Sequence, residues 1–242
     1  MRVGCQACPT HVSGRSHTSM QRTPDGRRST TAHRGRPSGA ETFVLEWTAM
    51  VKFEEAPFAV HFHLLGTVPF ETFVRLQRRL AYDVSGFDDG RMIVLLCQHA
   101  PVISVGRLGS RGHIRFTNDQ LKAKRLELRW INRGGGCVLH APGQISACPI
   151  VPLAWHRWSV GDYMRRLQQA VQRTLDDLRV RWETQPGTRG LWGRSGQLAG
   201  FGVSVRQWVT GYGAYINVNP AMNDFSFVDV VAPERVDEQK ST

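Results

Sequence analysis

The chain has 242 residues and a formal net charge of +11, with 41% hydrophobic and 21% charged residues. This length accommodates one globular domain with a sizeable core, and the apolar fraction excludes disorder throughout the chain. The longest unbroken apolar run, residues 92–97, is far shorter than the roughly 20 residues that a membrane-spanning helix needs. The composition therefore predicts a protein without a membrane span.

The positive charge is concentrated near the N-terminus. Residues 1–40 hold seven arginines and one acidic residue, Asp25, so they carry +6 and leave +5 for residues 41–242. A net charge of +5 over about 200 residues is ordinary for a protein surface and does not require a nucleic acid partner. The basic segment has no aromatic residue and no apolar periodicity, so it cannot bury enough surface to offset the entropy lost on folding. We predict a disordered basic tail over residues 1–49 and one domain over residues 50–242.

Three interpretations of this tail compete. Its Arg- and Ser-rich, acid-poor composition is typical of a targeting peptide, although it lacks an amphipathic helix pattern and an apolar secretion segment. It also suits a basic arm that binds an anionic partner. The third interpretation, which we favour, is that translation begins at Met50, where ordered-looking sequence begins.

The cysteine content favours a reducing cytoplasm. Five cysteines, an odd number spread along the chain, do not form the pattern of a disulfide framework. Cys5 and Cys8 are separated by two residues, but no second pair accompanies them. We therefore predict no metal site and no cofactor.

Two amphipathic helices are predicted. The first covers residues 70–82, where apolar residues recur at helical spacing after the helix-start signals Thr67 and Pro69. The second covers residues 159–178 and begins with a Ser-x-x-Asp capping box.

Short strands surround these helices, with a turn at 85–89 and a hairpin connection at 208–213. The predicted strands are residues 61–65, 91–97, 101–106, 128–131, 180–182, 198–205 and 212–218. Strands outnumber helices, and helices follow only some of the strands. The sequence therefore predicts an α+β domain in which a mixed β-sheet is flanked by helices.

The most informative segment runs from Arg133 to Gln144. Three glycines follow the predicted strand 128–131, and they permit positive φ angles and close approach of a ligand. Their spacing matches neither a dinucleotide-binding nor a phosphate-binding loop. Taken alone, such glycines indicate a flexible turn more often than a ligand loop. Arg133 before them and His140 after them favour the ligand loop.

Arg133-Gly-Gly, His140 and Pro142-Gly-Gln144 resemble the R-G-G-x-x-x-x-H-x-P-G-Q signature of protein N-octanoyltransferases, also called lipoyl(octanoyl) transferases. These enzymes belong to the lipoate and biotin protein ligase superfamily. Further similar segments occur in the same order: the helix at 70–82, residues 99–107, Gly190-Leu-Trp192 and residues 208–218. The resemblance covers residues 58–236 and implies the α+β catalytic fold of that superfamily.

The resemblance implies a reaction and its partners. An octanoyl group would move from an acyl carrier protein thioester to a lysine of a lipoyl-accepting domain, in a dehydrogenase complex or the glycine cleavage protein. Neither nucleic acid nor a membrane is implied. The acyl chain would lie beside the glycine loop, near a Cys nucleophile and an assisting Lys. The residues predicted to bind substrate are Arg133, Gly134, Gly135, Gly136, His140, Gly143, Gln144, Gly200 and Gly202.

This chain departs from the family at both catalytic positions. The lysine of the family's K-[IL]-A-x-x-G run is Gln197, and the cysteine of its P-C-G run aligns with Glu234. An amide can donate a hydrogen bond to a carbonyl, but it is uncharged and is not a base. No cysteine follows Cys148 in the sequence, so the usual nucleophile is missing.

Two hypotheses follow from these replacements. In the first, the protein transfers the acyl group directly from thioester to amine, with Glu234 as base, Gln197 and loop amides as oxyanion donors, and His140 as substrate positioner or alternate base. In the second, the chain is a non-catalytic relative that binds an acyl chain, an acyl carrier protein or a lipoyl domain. An ATP-dependent ligase is disfavoured, because ligases of this superfamily also use the lysine that Gln197 replaces.

Overall fold

The structure is a computed structural model that describes residues 47–51 and 58–229. These residues form ten strands. In chain order they are β1 (Trp47–Val51), β2 (Val60–Thr67), β3 (Met92–Gln98), β4 (Val102–Val105), β5 (Glu127–Trp130), β6 (Cys137–His140), β7 (Gln144–Ile150), β8 (Gly190–Gly193), β9 (Gly196–Arg206) and β10 (Val209–Asn217).

The strands form one large and one small sheet. The seven-stranded sheet has the order β1-β2-β3-β7-β10-β9-β8, with β2 and β3 parallel and the other neighbours antiparallel. The three-stranded sheet has the order β5-β4-β6, with β4 parallel to β5 and antiparallel to β6. Both sheets are therefore mixed.

Helices connect and cover the strands. They are α1 (Phe70–Ser85), α2 (Asn118–Ala123), α3 (Leu153–His156) and α4 (Val160–Asp177), with 3₁₀ turns at Arg111–His113 and Met222–Phe227. The predicted capping box begins α4: the Ser159 Oγ accepts from the Asp162 amide at 3.0 Å, and the Ser159 amide donates to the Asp162 carboxylate at 3.0 Å. The Ser159 hydroxyl also donates to the Asp162 carboxylate at 2.6 Å, and this bond, together with the one from the Ser159 amide, lowers the pKa of Asp162.

The two long helices pack on opposite faces of the large sheet. Along β3, Leu95 belongs to the cluster that contains the buried residues of α1, whereas Met92 belongs to the cluster that contains those of α4. Successive strand residues point to opposite faces, so these clusters lie on the two sides of the sheet. Burial of both apolar helix faces supplies the main driving force for this arrangement.

The predicted α+β class with a mixed sheet flanked by helices is confirmed. Both predicted helices are present, the first extending to Ser85 and the second ending at Asp177. Six of the seven predicted strands are present with shifted ends. The strand predicted at 180–182 is wrong. Those residues form a largely exposed loop after Arg179, whose positive φ of 57° follows the end of α4.

The hairpin connection predicted at 208–213 is wrong in position. The turn between β9 and β10 is formed by Gln207 and Trp208, with φ angles of 49° and 58°. Gly211 and Gly213 lie within β10. They are required there by close packing and not by a turn, since a Cβ on Gly213 would lie 2.1 Å from the Ala147 carbonyl oxygen.

The predicted tail lies almost entirely outside the described residues. The predicted boundary between residues 49 and 50 falls inside β1, whose residues pair with residues 60–64 of β2. The division into tail and domain stays a prediction. Among the helices that the structure describes, none combines the length and apolar composition needed to cross a membrane.

Candidate functional site

The predicted signature segment is a connection between the two sheets. After β5 the chain passes through residues 131–136, and β6 then pairs with β4 in the small sheet. Residues 141–143 turn the chain into β7, which pairs with β3 and β10 in the large sheet. The signature therefore comprises a loop at one end of β6 and a crossover at the other.

The glycine loop at residues 133–136 is held by backbone hydrogen bonds. Three successive amides of residues 106–108 donate to carbonyl oxygens of the loop over 2.9–3.1 Å. The Gly134 amide donates to the Val203 carbonyl oxygen of β9 at 2.8 Å. No hydrogen bond to another described residue uses the amides of Gly135 and Gly136, which leaves these two donors for a ligand.

Arg133 holds this loop from behind. Its side chain is 1% exposed, and its two terminal nitrogens donate to the carbonyl oxygens of Gly134 at 2.7 Å and Gly136 at 2.8 Å. One of them also donates to the Ser104 hydroxyl at 3.4 Å. The guanidinium carbon lies 5.3 Å from the centre of the Tyr215 ring. The planar fork of donors therefore fixes the loop shape.

His140 is buried behind the loop and both of its ring nitrogens are bonded. Nδ1 lies 2.9 Å from the Gln144 Oε1, and Nε2 lies 2.9 Å from the Ser104 Oγ. Burial lowers the pKa of His140 well below its usual range, and electrostatic repulsion from His99 and Arg133 acts in the same direction. The imidazole is therefore neutral. Since Gln144 Oε1 only accepts, Nδ1 carries the proton and Nε2 accepts from Ser104.

These bonds continue as a chain to the other side of the site. The Gln144 Nε2 donates to the Asn217 Oδ1 at 2.9 Å, and the Asn217 Nδ2 donates to the Gln197 carbonyl oxygen at 2.9 Å. A single series of hydrogen bonds thus joins Arg133 of the glycine loop to Gln197 of β9. We call this series, Arg133-Ser104-His140-Gln144-Asn217-Gln197, the polar chain.

A cavity of about 610 Å³ opens between the glycine loop and β9. This volume falls within the roughly 300–1,000 Å³ typical of small-molecule sites. Its walls come from both sheets and from α4, which contributes Val160 and Met164. The apolar residues that line it include Leu108, Val138, Leu139, Val160, Met164, Trp192, Phe201, Val203, Phe225 and Val228. An aliphatic chain therefore fits the chemistry of these walls.

Gln197 lies in the cavity wall next to two glycines. A Cβ on Gly190 would lie 2.5 Å from the Gln197 Nε2, and one on Gly200 would lie 3.3 Å from it. A Cβ on Gly202 would lie 2.7 Å from both an Arg133 nitrogen and the Gly134 carbonyl oxygen. Glycine at these positions lets β9 approach both the Gln197 amide and the glycine loop.

The structure brings most of the predicted site residues together. Arg133, Gly134, Gly135, Gly136, Gln144, Gln197, Gly200 and Gly202 all line the cavity. His140 and Gly143 do not. Gly143 has a φ of +89°, and a Cβ there would lie 2.3 Å from the Asn219 carbonyl oxygen, so the turn between the sheets requires glycine. Glu234 lies outside the described residues.

Several cavity residues were not predicted as site residues. Val160 and Met164 belong to a helix whose apolar stripe predicts core packing, and Arg189 lies in a loop without a motif. Arg107 ends the family-like segment 99–107 but was not singled out within it. Cys137 also lines the cavity, but burial raises the pKa of its thiol, which donates to the Ser110 carbonyl oxygen at 3.5 Å. Burial raises the pKa of Cys97 to about 12 and that of Cys148 still further. The described cysteines are therefore thiols, which are poor nucleophiles.

Comparison with known proteins identifies the family. The family profile described as "Lipoyl protein ligase A/B catalytic domain" matches residues 71–242. An octanoyltransferase of Geotalea uraniireducens (strain Rf4) is 34% identical over 165 residues, which is 68% of this chain and 73% of that protein. An octanoyltransferase of Synechococcus sp. (strain WH7803) is 36% identical over 168 residues, 69% of this chain and 67% of that protein. The chain belongs to the lipoyl protein ligase A/B catalytic domain family.

Solved structures show the same fold. A crystal structure of lipoate-protein ligase A bound with ATP matches with a TM-score of 0.56 at 17% identity, over 71% of each chain. A bi-partite lipoate protein ligase from Thermoplasma acidophilum matches with a TM-score of 0.52 at 16% identity, over 71% of this chain and 66% of that one. The family predicted from the signature is confirmed.

Proposed function

We propose that the chain is an octanoyltransferase, which moves an octanoyl group from a carrier-protein thioester to a lysine amine of a lipoyl-accepting domain. The family and the names of the similar enzymes support this reaction. The observation that carries the proposal is the apolar cavity between the glycine loop and Gln197. It offers aliphatic walls for the acyl chain and hydrogen-bond donors for its carbonyl group.

The transfer is direct. The lysine nitrogen attacks the thioester carbonyl carbon, a tetrahedral oxyanion forms, and the carbon–sulfur bond then breaks. The amide keeps the acyl group, and the proton lost by the amine ends on the released thiol. The described cysteines are buried thiols and therefore poor nucleophiles. The proposed reaction accordingly passes through no acyl-enzyme.

The cavity provides donors for the oxyanion. The amides of Gly135 and Gly136 have no acceptor among the described residues, and the Gln197 side chain lies in the opposite wall. Donors fixed before the reaction stabilise developing charge at no cost of reorganisation. The polar chain keeps the two walls at a constant spacing, so we assign His140 a positioning role and not that of a base.

Glu234 is the proposed base that takes the proton from the attacking amine. Ser226 and Val228 line the cavity, and the Asp229 amide donates to the His113 carbonyl oxygen at 2.9 Å. The last described residue, Asp229, follows these cavity residues directly, and Glu234 comes five residues later in the sequence. A carboxylate is suited to general base catalysis.

Intact mass measurement of an apo lipoyl domain, incubated with octanoyl carrier protein and the full chain, tests the function. We expect addition of one octanoyl group, with Glu234→Gln reducing the rate about 100-fold by removing a general base. The exposed Arg173→Gln, outside the cavity, is the control and should retain the wild-type rate.

Three results would contradict parts of this proposal. Binding of the octanoyl carrier protein without any transfer would establish the non-catalytic alternative. An octanoyl adduct on the enzyme in the absence of acceptor would replace direct transfer with an acyl-enzyme. A wild-type rate in a Glu234→Gln, His140→Ala double variant would remove both residues from the mechanism.

A further inference from the structure

The charged side chains that line the cavity are all positive. Among the described residues that line it, the ionised side chains are those of Arg107, Arg133 and Arg189, and no Asp, Glu or Lys joins them. Arg133 is buried and bonded to loop carbonyl oxygens, so its charge is already engaged. The two remaining arginines are exposed to solvent at the rim.

These two arginines differ in their partners. The Arg107 Nη1 donates to the Asn132 Oδ1 at 3.4 Å, and its Nη2 lies 3.5 Å from where a Cβ on Gly134 would be. Arg189 makes no hydrogen bond, ion pair or aromatic contact with any residue of the described ranges. None of its five N–H donors is therefore used by another described residue.

The loop that carries Arg189 is held in place. Glu183 and Trp192 exchange backbone hydrogen bonds of 2.8 and 2.9 Å, which close the loop at its base. Thr188 accepts from the Trp192 indole nitrogen at 3.3 Å and donates to the Gln185 carbonyl oxygen at 3.0 Å. These hydrogen bonds fix the backbone on both sides of Arg189.

Arg189 and Gln197 line the same cavity. The residue after Arg189 is Gly190, where a Cβ would lie 2.5 Å from the Gln197 Nε2. A neutral amide donates a hydrogen bond to an oxyanion but adds no positive charge, whereas a guanidinium adds a full charge that attracts the oxyanion as well. A nearby cation would supply the positive charge that this amide lacks.

We propose that the Arg189 guanidinium stabilises the oxyanion formed during acyl transfer, acting together with the Gln197 amide. This inference rests on the proposed function and assigns a catalytic residue to it. In the reaction, negative charge moves from the carbonyl oxygen to the departing sulfur. A guanidinium at the rim attracts that charge at both stages and transfers no proton, because arginine stays ionised.

Steady-state kinetics of octanoyl transfer by the full chain test this role. We expect Arg189→Gln to lower kcat about ten- to hundredfold with little change in KM, because only the charge that develops in the transition state is affected. Arg189→Lys should retain more activity than Arg189→Gln, because it keeps the charge. Arg173→Gln, a charge loss outside the cavity, should leave kcat unchanged.

A second substitution separates charge from structure. In the Arg189→Gln background, Gln197→Lys returns a positive charge to the same wall and should raise kcat about tenfold or more. Wild-type kcat in Arg189→Gln would overturn the proposal, and so would failure of Gln197→Lys to raise it. If Arg107→Gln lowered kcat as much as Arg189→Gln does, the effect would belong to positive charge at the rim in general. That result would also overturn the proposal. Absence of transfer by the wild type would instead contradict the proposed function.

Discussion

The two halves of the signature segment have different surroundings. The glycine loop at 134–136 lines the cavity and offers free amides, whereas the part from His140 to Gln144 lies at the junction of the two sheets. The first half is accessible to a ligand in the cavity, and most of the second half joins the two sheets. This signature therefore combines residues that line the cavity with residues that hold the cavity residues in place.

The largest expected effect concerns the crossover. Gly143→Ala adds a Cβ at a φ of +89° and 2.3 Å from the Asn219 carbonyl oxygen, so the turn must shift. We expect the free energy of unfolding to fall by about 3 kcal/mol, measured by urea denaturation. Gly187→Ala is the matched control: its φ is +76°, but nothing lies within 4 Å, so only about 1 kcal/mol of backbone strain remains. Equal losses in the two variants would contradict the crossover role.

The next effect concerns the polar chain. His140→Phe leaves the Ser104 hydroxyl and the Gln144 Oε1 buried without their partner, which should cost about 2 kcal/mol of unfolding free energy. It should also change the pH dependence. The pKa of His140 is lowered in the folded state, so below about pH 6.5 the unfolded chain takes up a proton that the folded chain does not.

Stability of the wild type should therefore fall as the pH decreases below about 6.5, and His140→Phe should flatten this dependence. The pKa of His99 is also lowered by burial, so part of the slope should remain in the variant. Urea denaturation at several pH values between about 5 and 7.5 measures both slopes. An unchanged slope in the variant would show that His140 does not remain neutral in the folded state.

The smallest expected change in stability comes from the glycine loop. In Gly134→Ala, the new methyl group would lie 3.3 Å from the Val203 carbonyl oxygen and 3.5 Å from an Arg107 nitrogen, which requires small adjustments. We expect a loss of less than about 1 kcal/mol. Because Gly134 lines the cavity, octanoyl transfer should fall about tenfold, as small displacements at a reacting centre are costly. If Gly134→Ala lowered stability without slowing octanoyl transfer, the glycine loop would have a structural role and not a role in the site.

Much of the fold follows from periodicity in the sequence. The stripe on α4 and its Ser159 cap predict that helix correctly, and the apolar run of β3 predicts a buried strand. The strands β6 and β7 were not predicted, because their glycine- and proline-rich surroundings indicate loops. Their pairing is set by non-local contacts: Cys137 pairs with Val105 and Ile150 with Ile93. Such contacts leave no local pattern.

The sequence predicted which residues belong to the candidate site but not how they are arranged. The signature identified the glycine loop, and the family resemblance identified Gln197, Gly200 and Gly202, which the structure places in the opposite wall of the cavity. Arg189 could not be predicted, because a lone arginine in a loop has no pattern that distinguishes it from a solvated one. His140 illustrates the converse, since a histidine in a signature suggests a base until both of its nitrogens are seen to be bonded.

The polar chain has a direction. The Gln144 Nε2 donates to the Leu139 carbonyl oxygen, so the Gln144 Oε1 must face the His140 Nδ1. The neutral imidazole therefore carries its proton on Nδ1 and accepts from Ser104 at Nε2. The Gln144 Nε2 also donates to the Asn217 Oδ1, which leaves the Asn217 Nδ2 to donate to the Gln197 carbonyl oxygen. A backbone carbonyl of the small sheet thereby decides which end of the Asn217 amide faces the backbone of residue 197 in the large sheet.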